Sequence, residues 1–474
     1  MFLLRPSARV RIALAGFGAV LLLGWPESRA TAVAAAQRQA IGRAVPRDPQ
    51  PRSVMRRTAA RAQALREASA RRLDHIPGEV VVKFRDGMPS FRRQRALTAL
   101  RSRPSVNDLE WHGEVALLRQ PMDQDVHVLA RTLAAQPEVE YAEPNYLVRL
   151  RPRREPVPLD VSSARPAGTP NDEFYSEQWN LSGLDMPRVW DINPGASADI
   201  VVAVVDSGIT TVNQSFSFAI WNGSGFQTVS MPFTISPGMQ ASRLTRPFDF
   251  VFGQTVLDLD GHGTHVAATL AETTNDMANT AGIAYNAVVM PVKVCTGYWD
   301  EQIDRSRRGV PGRADEDDPG CSTTDIADGI RYAAEQGAKV INVSLGGPSA
   351  TNAVRDALAF AVQRGAFVAI AMGNSFDDDN PINYPAKYAE LFQGVMSVAA
   401  VGRSMTTRAE YSSTGSHCEI AAPGGDFAAD GRNGLIWQTT LDEPCHTFGT
   451  ASCPNPPAFN RFAVFGFQGT SMAS

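Results

Sequence analysis

Three short motifs hold side chains whose types suit nucleophilic catalysis. Asp206 follows a run of valines in VVDSG, His262 lies in GHGTHVA, and Ser471 lies in GTSMA. A serine hydroxyl becomes a good nucleophile when a base takes its proton, and histidine suits that role because its pKa lies near neutrality. A buried carboxylate fixes the imidazole tautomer and stabilises the imidazolium. We therefore predict that these residues act together in acyl transfer.

The same reaction needs donors for the oxyanion that forms on the attacked carbonyl. Asn374 follows Gly373 just after an apolar run at 366–371. Its side-chain amide is the predicted first donor, and the backbone N–H of Ser471 is the predicted second.

The elements that position these residues follow from the pattern after residue 170. The predicted strands are the apolar runs 200–205, 287–294, 339–344, 366–371 and 395–401, and the predicted helices are 263–272, 325–336 and 352–364. Apolar strands alternating with helices indicate a parallel sheet covered on both faces. Ligand chemistry in such sheets lies at the carboxyl ends of the strands, where Asp206 and Asn374 fall.

Residues 31–170 divide into three parts. Residues 31–75 are rich in Arg and Ala without an apolar stripe, which predicts a solvated spacer. Residues 76–150 have the order β-α-β-β-α-β of a ferredoxin-like α+β domain. Residues 151–170 are rich in Pro and Arg, which predicts an exposed linker open to proteolysis. The histidines of 31–150 lack a metal-binding pattern, so we predict surface or packing roles for His75, His112 and His127.

Export is predicted from residues 1–30. Three arginines precede an apolar run at 12–24, and small residues ending at Ala30 offer a cleavage site. The alternative is a membrane anchor, but the run is short for ~30 Å of hydrocarbon. We expect a secreted protein with no membrane attachment after signal cleavage.

The chain has 474 residues and a net charge of −4, and this near-neutral charge gives no reason to expect a nucleic-acid partner.

The five cysteines lack Cys-x-x-Cys spacing, and an exported chain meets an oxidising compartment, so we expect disulfides. Cys295 and Cys321 bracket a polar loop that they are predicted to close. Cys445 and Cys453 are candidates for a second bond, and either could instead pair with Cys418. The odd count leaves one thiol unpaired or its partner outside this chain.

Residues 171–474 resemble the catalytic domain of the subtilase family, in the style of its thermitase-like exported members. The matching motifs are VVDSG, GHGTHVA, SLGG at 344–347, GN at 373–374, NYPAKY at 383–388, AAPGG at 421–425 and GTSMA. The resemblance implies an α/β fold, a subtilisin-like doubly wound, mostly parallel sheet with helices on both faces. It also implies a serine endopeptidase that hydrolyses polypeptide substrates through an acyl-enzyme.

Residues 76–150 similarly resemble a subtilase propeptide, which implies an intramolecular inhibitor and folding chaperone that is later cut away. In the catalytic domain, Ser344, Leu345 and Gly346 match the edge strand that pairs with extended substrate. The matches to the walls of the primary specificity pocket are Ala371, Gly373 and Asn383. They imply a preference for sizeable apolar or uncharged side chains.

The resemblance also implies structural calcium, with no cofactor for catalysis. Asp172 and Asp249 match acidic ligands of thermitase-like proteins, and Asp276 lies in a loop, 273–280, that supplies carbonyl ligands there. The alternative is that these are surface acids and turn formers. We predict that the acidic run 376–380 is a solvated turn and not a second calcium site. His265 lacks the glutamate of a His-Glu-x-x-His motif, so we expect it to pack within a helix.

Two stretches, 296–320 and 441–465, depart from compact family members and are predicted insertions, the first near the substrate cleft.

The chain ends at Ser474, where the family continues into a long buried helix. We expect a truncated catalytic domain that is poorly folded or inactive as given. The alternative function is an inactive remnant that binds extended peptides. A sedolisin-type acid peptidase is disfavoured because His262 stands where those enzymes need a glutamate.

Overall fold

The computed structural model describes residues 58–150, 157–158, 169–253, 255–311, 320–442 and 457–474. The predicted signal peptide 1–30, Cys445 and Cys453 lie outside the described residues, as do most of the spacer and most of the linker. Within the described ranges, no helix has the length and apolar character needed to cross a membrane.

The N-terminal domain, residues 59–150, begins with a helix and continues in the predicted β-α-β-β-α-β order. Its elements are α1 (Ala59–Ala70), β1 (His75–Phe84), α2 (Ser90–Leu97), β2 (Leu109–His112), β3 (Val115–Arg119), α3 (Val126–Ala134) and β4 (Val139–Val148). Strand β1 pairs antiparallel with β3 and β4, and β2 pairs with β3. Val80, Leu97, Leu118 and Leu133 share a core between the sheet and the two later helices.

Helix α1 contradicts the predicted solvated spacer over Ala59–Ala70. Its buried face consists of Ala62, Ala64 and Ala68, which pack toward β1. Alanines give little hydropathy contrast, so no apolar stripe is visible in the sequence. Arg61 is also held, because its guanidinium donates to the Asp325 carboxylate at 2.8 Å.

The elements of the second domain alternate strand and helix through most of its length. The strands are β5 (Val157–Pro158), β6 (Val201–Asp206), β7 (Gln214–Trp221), β8 (Phe226–Phe233), β9 (Phe248–Asp249), β10 (Val288–Lys293), β11 (Cys321–Ser322), β12 (Val340–Val343), β13 (Phe367–Ala371), β14 (Val395–Val401), β15 (Ile420–Pro423), β16 (Ile436–Leu441) and β17 (Phe462–Phe467). The helices are α4 (Trp179–Gly183), α5 (Met186–Ile192), α6 (His262–Ala271), α7 (Tyr298–Arg307), α8 (Thr323–Glu335), α9 (Asn352–Gln363), α10 (Phe427–Asp430) and α11 (Thr470–Ala473).

A seven-stranded sheet forms the centre of this domain, in the order β15-β14-β13-β12-β6-β10-β9. Every pair in it is parallel. Val205 of β6 packs on the face that holds Ile330 of α8 and Leu358 of α9. Val204 packs on the opposite face, with Val266 of α6. The predicted doubly wound sheet with helices on both faces is therefore confirmed.

Two hairpins and one helix add to the predicted core. Strands β7 and β8 pair antiparallel over eight residues, and β16 pairs with β17. Helix α7 lies in the predicted insertion 296–320. Its Trp299 and Ile303 share an apolar cluster with Phe218 and Phe233 of the β7–β8 hairpin. Helix α7 is thus packed against this hairpin through a shared apolar cluster.

The two domains share a sheet edge. Strand β11 pairs antiparallel with β4, and Cys321 lies opposite Val148. The predicted Cys295–Cys321 disulfide is present and closes the loop that carries α7. Cys418 is a free thiol.

Candidate active site

Asp206 and His262 meet at the carboxyl end of β6. The Nδ1 atom of His262 lies 2.7 Å from Oδ1 of Asp206, which is fully buried. Asp206 is the last residue of β6 and His262 the first of α6, so both are fixed by regular structure. Helix α6 approaches closely because its second residue is Gly263. A Cβ there would lie 2.3 Å from the carbonyl oxygen of Gly208.

Asp258 holds the turn that leads into α6, and the sequence analysis did not single it out. Its Oδ1 accepts from the backbone N–H of Gly261 at 3.0 Å and from the Ser207 hydroxyl at 3.2 Å. Its Oδ2 accepts from the N–H of Thr264 at 3.1 Å. The spacing Asp-x-Asp-Gly before His262 was an available signal, because Asp and Asn commonly bond to the backbone of a following turn.

The electrostatic environment of His262 favours the imidazolium. Burial lowers the pKa of His262, but the neighbouring Asp206 carboxylate outweighs burial and raises the pKa to about 9. A buried carboxylate at hydrogen-bond distance stabilises the charged ring. The Asp206 carboxylate therefore favours the protonated form of the His262 ring.

Ser471 lies at the start of α11, in the turn after β17. Its hydroxyl donates to the carbonyl oxygen of Ser344, 3.0 Å away. The hydroxyl of Ser344 in turn donates to the carbonyl oxygen of Ser471 at 2.9 Å. These reciprocal bonds fix Ser471 beside the end of β12.

Asn374 is oriented by the residue that precedes the serine. Its Oδ1 accepts from both the N–H and the hydroxyl of Thr470, at 2.9 and 2.8 Å. The hydroxyl of Thr470 also accepts from the N–H of Gly373 at 3.1 Å. Because the amide oxygen is engaged in this way, the Nδ2 group of Asn374 is directed away from Thr470 as a donor.

One cavity of about 360 Å³ joins the predicted residues. Its lining includes His262, Asn374 and Ser471, together with all six predicted substrate-binding residues, Ser344, Leu345, Gly346, Ala371, Gly373 and Asn383. Gly373 has a φ of +107°, and a Cβ there would lie 2.4 Å from the Asn383 side chain. The structure thus brings every predicted catalytic and substrate residue to one place, with Asp206 behind His262.

The tail of the N-terminal domain borders the same cavity, which the sequence analysis did not predict in detail. Arg149 and Leu150 belong to the lining. Strand β4, which precedes them, is held by its antiparallel pairing with β11. The residues directly after β4 therefore form part of the cavity wall.

Two polar side chains of β4 contact the N-termini of helices in the second domain. The Glu143 carboxylate accepts from the backbone N–H groups of Asn352 and Ala353, at 2.9 and 3.0 Å, where α9 begins. The amide oxygen of Asn145 accepts from the N–H of Thr324 at 3.2 Å, in the first turn of α8. Each side chain satisfies helix N–H groups that have no partner within the helix.

The three acidic residues predicted as calcium ligands do not lie in one group. Asp249 accepts from the N–H groups of Val251 and Phe252, at 2.8 and 2.9 Å, and so forms a local turn. Burial raises its pKa to about 7. Within the described ranges, Asp249 does not join Asp172 and Asp276 in a three-ligand group.

Asp172 and Asp276 do lie close together, but backbone N–H groups already bind their carboxylate oxygens, and this arrangement does not suit a cation. The two carboxylate oxygens of Asp172 accept from the N–H groups of Asn275, at 3.0 Å, and Asp276, at 3.4 Å. The carboxylate of Asp276 accepts from the N–H of Ala278 at 3.0 Å. The loop thus turns amide hydrogens toward Asp172, whereas calcium needs oxygen ligands. These residues do not fit a calcium ion.

His265 is a packing residue, as predicted. Its Nε2 faces the carbonyl oxygens of Ile436 and Phe465 at 3.2 and 3.3 Å. The ring stacks on Phe467 with a centroid separation of 4.1 Å. Burial lowers the pKa of His265 to about 3, so the ring is neutral and ties α6 to the β16–β17 hairpin.

Comparison with known proteins gives two family matches. Residues 197–474 match the subtilase family, peptidase S8, and residues 61–145 match the fervidolysin N-terminal prodomain. The first match covers more than half of the chain, and the chain therefore belongs to the subtilase family. The prodomain match begins within α1, upstream of the predicted boundary at residue 76.

Similar proteins are proteases. A thermophilic serine proteinase of Bacillus sp. (strain AK1) is 27% identical over 383 residues, which span 80% of this chain and 78% of the relative. Thermitase of Thermoactinomyces vulgaris is 30% identical over 258 residues, 54% of this chain and 74% of thermitase. An extracellular protease of Xanthomonas campestris is 29% identical over 435 residues, 83% of this chain and 63% of that protein.

A solved structure supports the fold. Fervidolysin from Fervidobacterium pennivorans aligns with a TM-score of 0.56 at 21% identity, over 84% of this chain and 53% of that one. Together with the family matches, this identifies a serine-type endopeptidase of the subtilase family that carries an N-terminal prodomain. Hydrolysis of this type needs no catalytic cofactor.

Proposed function

We propose that Ser471 is the nucleophile, His262 the general base and Asp206 the residue that orients His262. The Ser471 Oγ bonds to the substrate carbonyl carbon while its proton passes to Nε2 of His262. The C–N bond then breaks, and His262 donates that proton to the leaving amine. Water repeats the sequence on the acyl-enzyme and releases the second product. The observation that carries this proposal is the 2.7 Å Asp206–His262 contact beside a cavity that also holds Ser471.

The oxyanion would be held by the Nδ2 group of Asn374 and the backbone N–H of Ser471. What supports Asn374 is the pair of bonds from Thr470 to its amide oxygen, which leaves the nitrogen to donate. A donor fixed in this way before the reaction needs no reorganisation when the charge develops.

The substrates would be polypeptides bound in extended form along Ser344, Leu345 and Gly346. The primary pocket would be walled by Ala371, Gly373 and Asn383 and would favour sizeable apolar or uncharged side chains. Support comes from Arg149 and Leu150, which directly follow strand β4 and line the same cavity. Main-chain pairing of this kind gives affinity with little demand on sequence.

The N-terminal domain would inhibit the enzyme until it is cut away. Its tail lines the cavity, and Glu143 and Asn145 bind the first turns of helices in the catalytic domain. Secretion would follow from the signal-like residues 1–30, and it is in keeping with the extracellular protease relatives. Cleavage in the linker 151–170 would release the mature enzyme.

Active-site labelling tests the nucleophile. A fluorophosphonate probe should label the processed enzyme and should not label a Ser471→Ala variant. Ser404→Ala, a change of the same kind at an exposed loop serine, is the matched control and should label normally. Labelling that persists in Ser471→Ala would refute the assignment.

A further inference from the structure

A second group of chemically active side chains lies in the N-terminal domain. Asp74, His75 and His127 each offer one ligand atom, and these atoms lie within 4.8 Å of one another. Among the residues that the structure describes, this is the one such group of three. The prediction that His75 and His127 have only surface or packing roles overlooked it, because the two histidines are far apart in the sequence.

The contacts within the group are close and directional. The Nδ1 atom of His75 lies 2.7 Å from Oδ1 of Asp74. The rings of His75 and His127 have centroids 5.1 Å apart and are inclined by 82°. The His75 side chain is 15% exposed, so solvent reaches the group without surrounding it.

Regular structure fixes the backbone on both sides of the group. His75 is the first residue of β1 and lies opposite Tyr146 of β4. His127 lies in the first turn of α3, where the Asp125 carboxylate accepts from its backbone N–H at 2.8 Å. The two imidazoles are thus brought together by a strand and a helix, and not by a loop.

We propose that Asp74, His75 and His127 form a site for a divalent transition-metal ion of the zinc class. Two imidazoles and a carboxylate are ligands that such ions prefer, and nitrogen ligands disfavour calcium and magnesium. A tetrahedral ion with ligands at about 2.0–2.1 Å holds the ligand atoms ~3.3 Å apart. Rotation of these partly exposed side chains closes the remaining distance, and water supplies the fourth ligand.

The site lies next to the backbone that holds the inhibitory tail. The carbonyl oxygen of Asp74 accepts from the N–H of Leu147 at 2.8 Å, and that of Leu73 accepts from the Arg149 guanidinium at 2.7 Å. A bound ion would tie α3 to this segment and stabilise the folded N-terminal domain by mass action. Metal binding itself does not depend on the proposed function. Any effect of the bound ion on release of the inhibitory tail rests on that function.

The test is a cobalt titration of the full chain that carries Ser471→Ala and no histidine tag, followed by displacement with zinc. We expect visible d–d bands of four-coordinate cobalt. His127→Gln and His75→Asn should each lose one bound ion or weaken its affinity by about tenfold or more. His112→Gln, a matched control in the same domain, should bind cobalt as the parent chain does.

Two further measurements keep the result decisive. Circular dichroism establishes whether each variant is folded. If a histidine variant does not fold, Asp74→Asn replaces it in the titration, because this change is nearly isosteric and lies at an exposed side chain. Zinc should raise the melting temperature of the parent chain and raise it less in His127→Gln, and calcium should not reproduce the difference. Cobalt binding that is absent, or equal in His127→Gln and His112→Gln, would overturn the site. Neither readout uses turnover, so failure of the serine assignment would leave this result intact.

Discussion

Glu143 should be a main determinant of how tightly the N-terminal domain holds the enzyme. Its carboxylate accepts three hydrogen bonds at the start of α9, from the N–H of Asn352 and of Ala353 and from the Asn352 side chain, at 2.9 to 3.0 Å. The residue before the helix, Thr351, makes no side-chain cap. Glu143 therefore supplies that cap from another domain.

The expected effect of Glu143→Ala follows from these contacts. Removing the acceptor leaves two helix N–H groups unpaired at a buried interface, and an unsatisfied buried group costs about 1 to 3 kcal/mol. Burial raises the pKa of Glu143, so desolvation of the carboxylate offsets part of the gain. We expect a net loss of about 2 to 3 kcal/mol, which corresponds to about 30- to 150-fold weaker inhibition. Glu143→Gln keeps an acceptor without the buried charge and should lose only about fivefold.

The assay is inhibition of the processed protease by the separately produced N-terminal domain, with folding of each variant checked by circular dichroism. Glu140→Ala is the matched control, because Glu140 lies in the same strand but is 38% exposed and pairs with Lys83 at 3.4 Å. Such a pair contributes about 0 to 1 kcal/mol, so Glu140→Ala should change inhibition by less than about fivefold. Equal inhibition by Glu143→Ala and the parent domain, or equal losses in Glu143→Ala and Glu140→Ala, would refute the capping argument.

Three further predictions concern the catalytic domain. If the proposed role of Asn374 as oxyanion donor is right, Asn374→Ala should lower kcat by about 10²- to 10³-fold and change KM little; steady-state hydrolysis of a peptide measures this. Serine labelling should rise with pH, with a midpoint above the ordinary histidine pKa of about 6.5, because His262 must be neutral to act as base; burial lowers the pKa of His262, but the Asp206 carboxylate outweighs burial and raises it. Asp206→Asn should shift the midpoint of that rise to lower pH. Replacing Cys295 and Cys321, which are separated by 26 residues, with serine should lower the free energy of unfolding by about 2 to 4 kcal/mol in denaturant titrations.

Each of these predictions has a contradicting outcome. A rise in KM with kcat unchanged in the Asn374 variant would mean that the residue binds substrate and does not stabilise the oxyanion. A labelling midpoint near 6.5 in the parent enzyme would contradict the charge coupling between Asp206 and His262. An unfolding midpoint unchanged by removal of the disulfide would show that packing of α7 already fixes that loop.

The central sheet and the placement of the candidate site residues were predictable because their signals are local. Strands such as β6 and β13 contain continuous apolar runs, VVAVV and FVAIA. Asp206 ends β6, and Asn374 follows β13 closely, so their positions at the sheet edge follow from sequence alone. The conjunction of three motifs predicted which residues would meet, and the structure places His262, Asn374 and Ser471 around one cavity with Asp206 beside His262.

What escaped prediction depends on partners that are distant in the chain. Helix α1 is stabilised in part by Arg61, whose partner Asp325 comes 264 residues later. The sequence of helix α7 is mostly polar, which does not indicate a buried helix. Its Asp300 is nevertheless buried against Lys293, with their charged atoms 3.1 Å apart. Asp249 shows a related limit, because the residue type that binds cations also closes turns, and here its carboxylate accepts from the N–H groups of Val251 and Phe252.

The pairing of β4 with β11 sets which changes the tail can accept over evolutionary time. The side chain of Val148 is buried in a core that it shares with residues of α8 and α9, so this position must stay apolar. Leu147 is only partly buried, but its N–H donates to the carbonyl oxygen of Asp74, so residue types other than proline can stand there. Sequence change in the inhibitor is therefore limited in two ways, by side chains such as Glu143 and Val148 and by the backbone where the strand must donate a hydrogen bond.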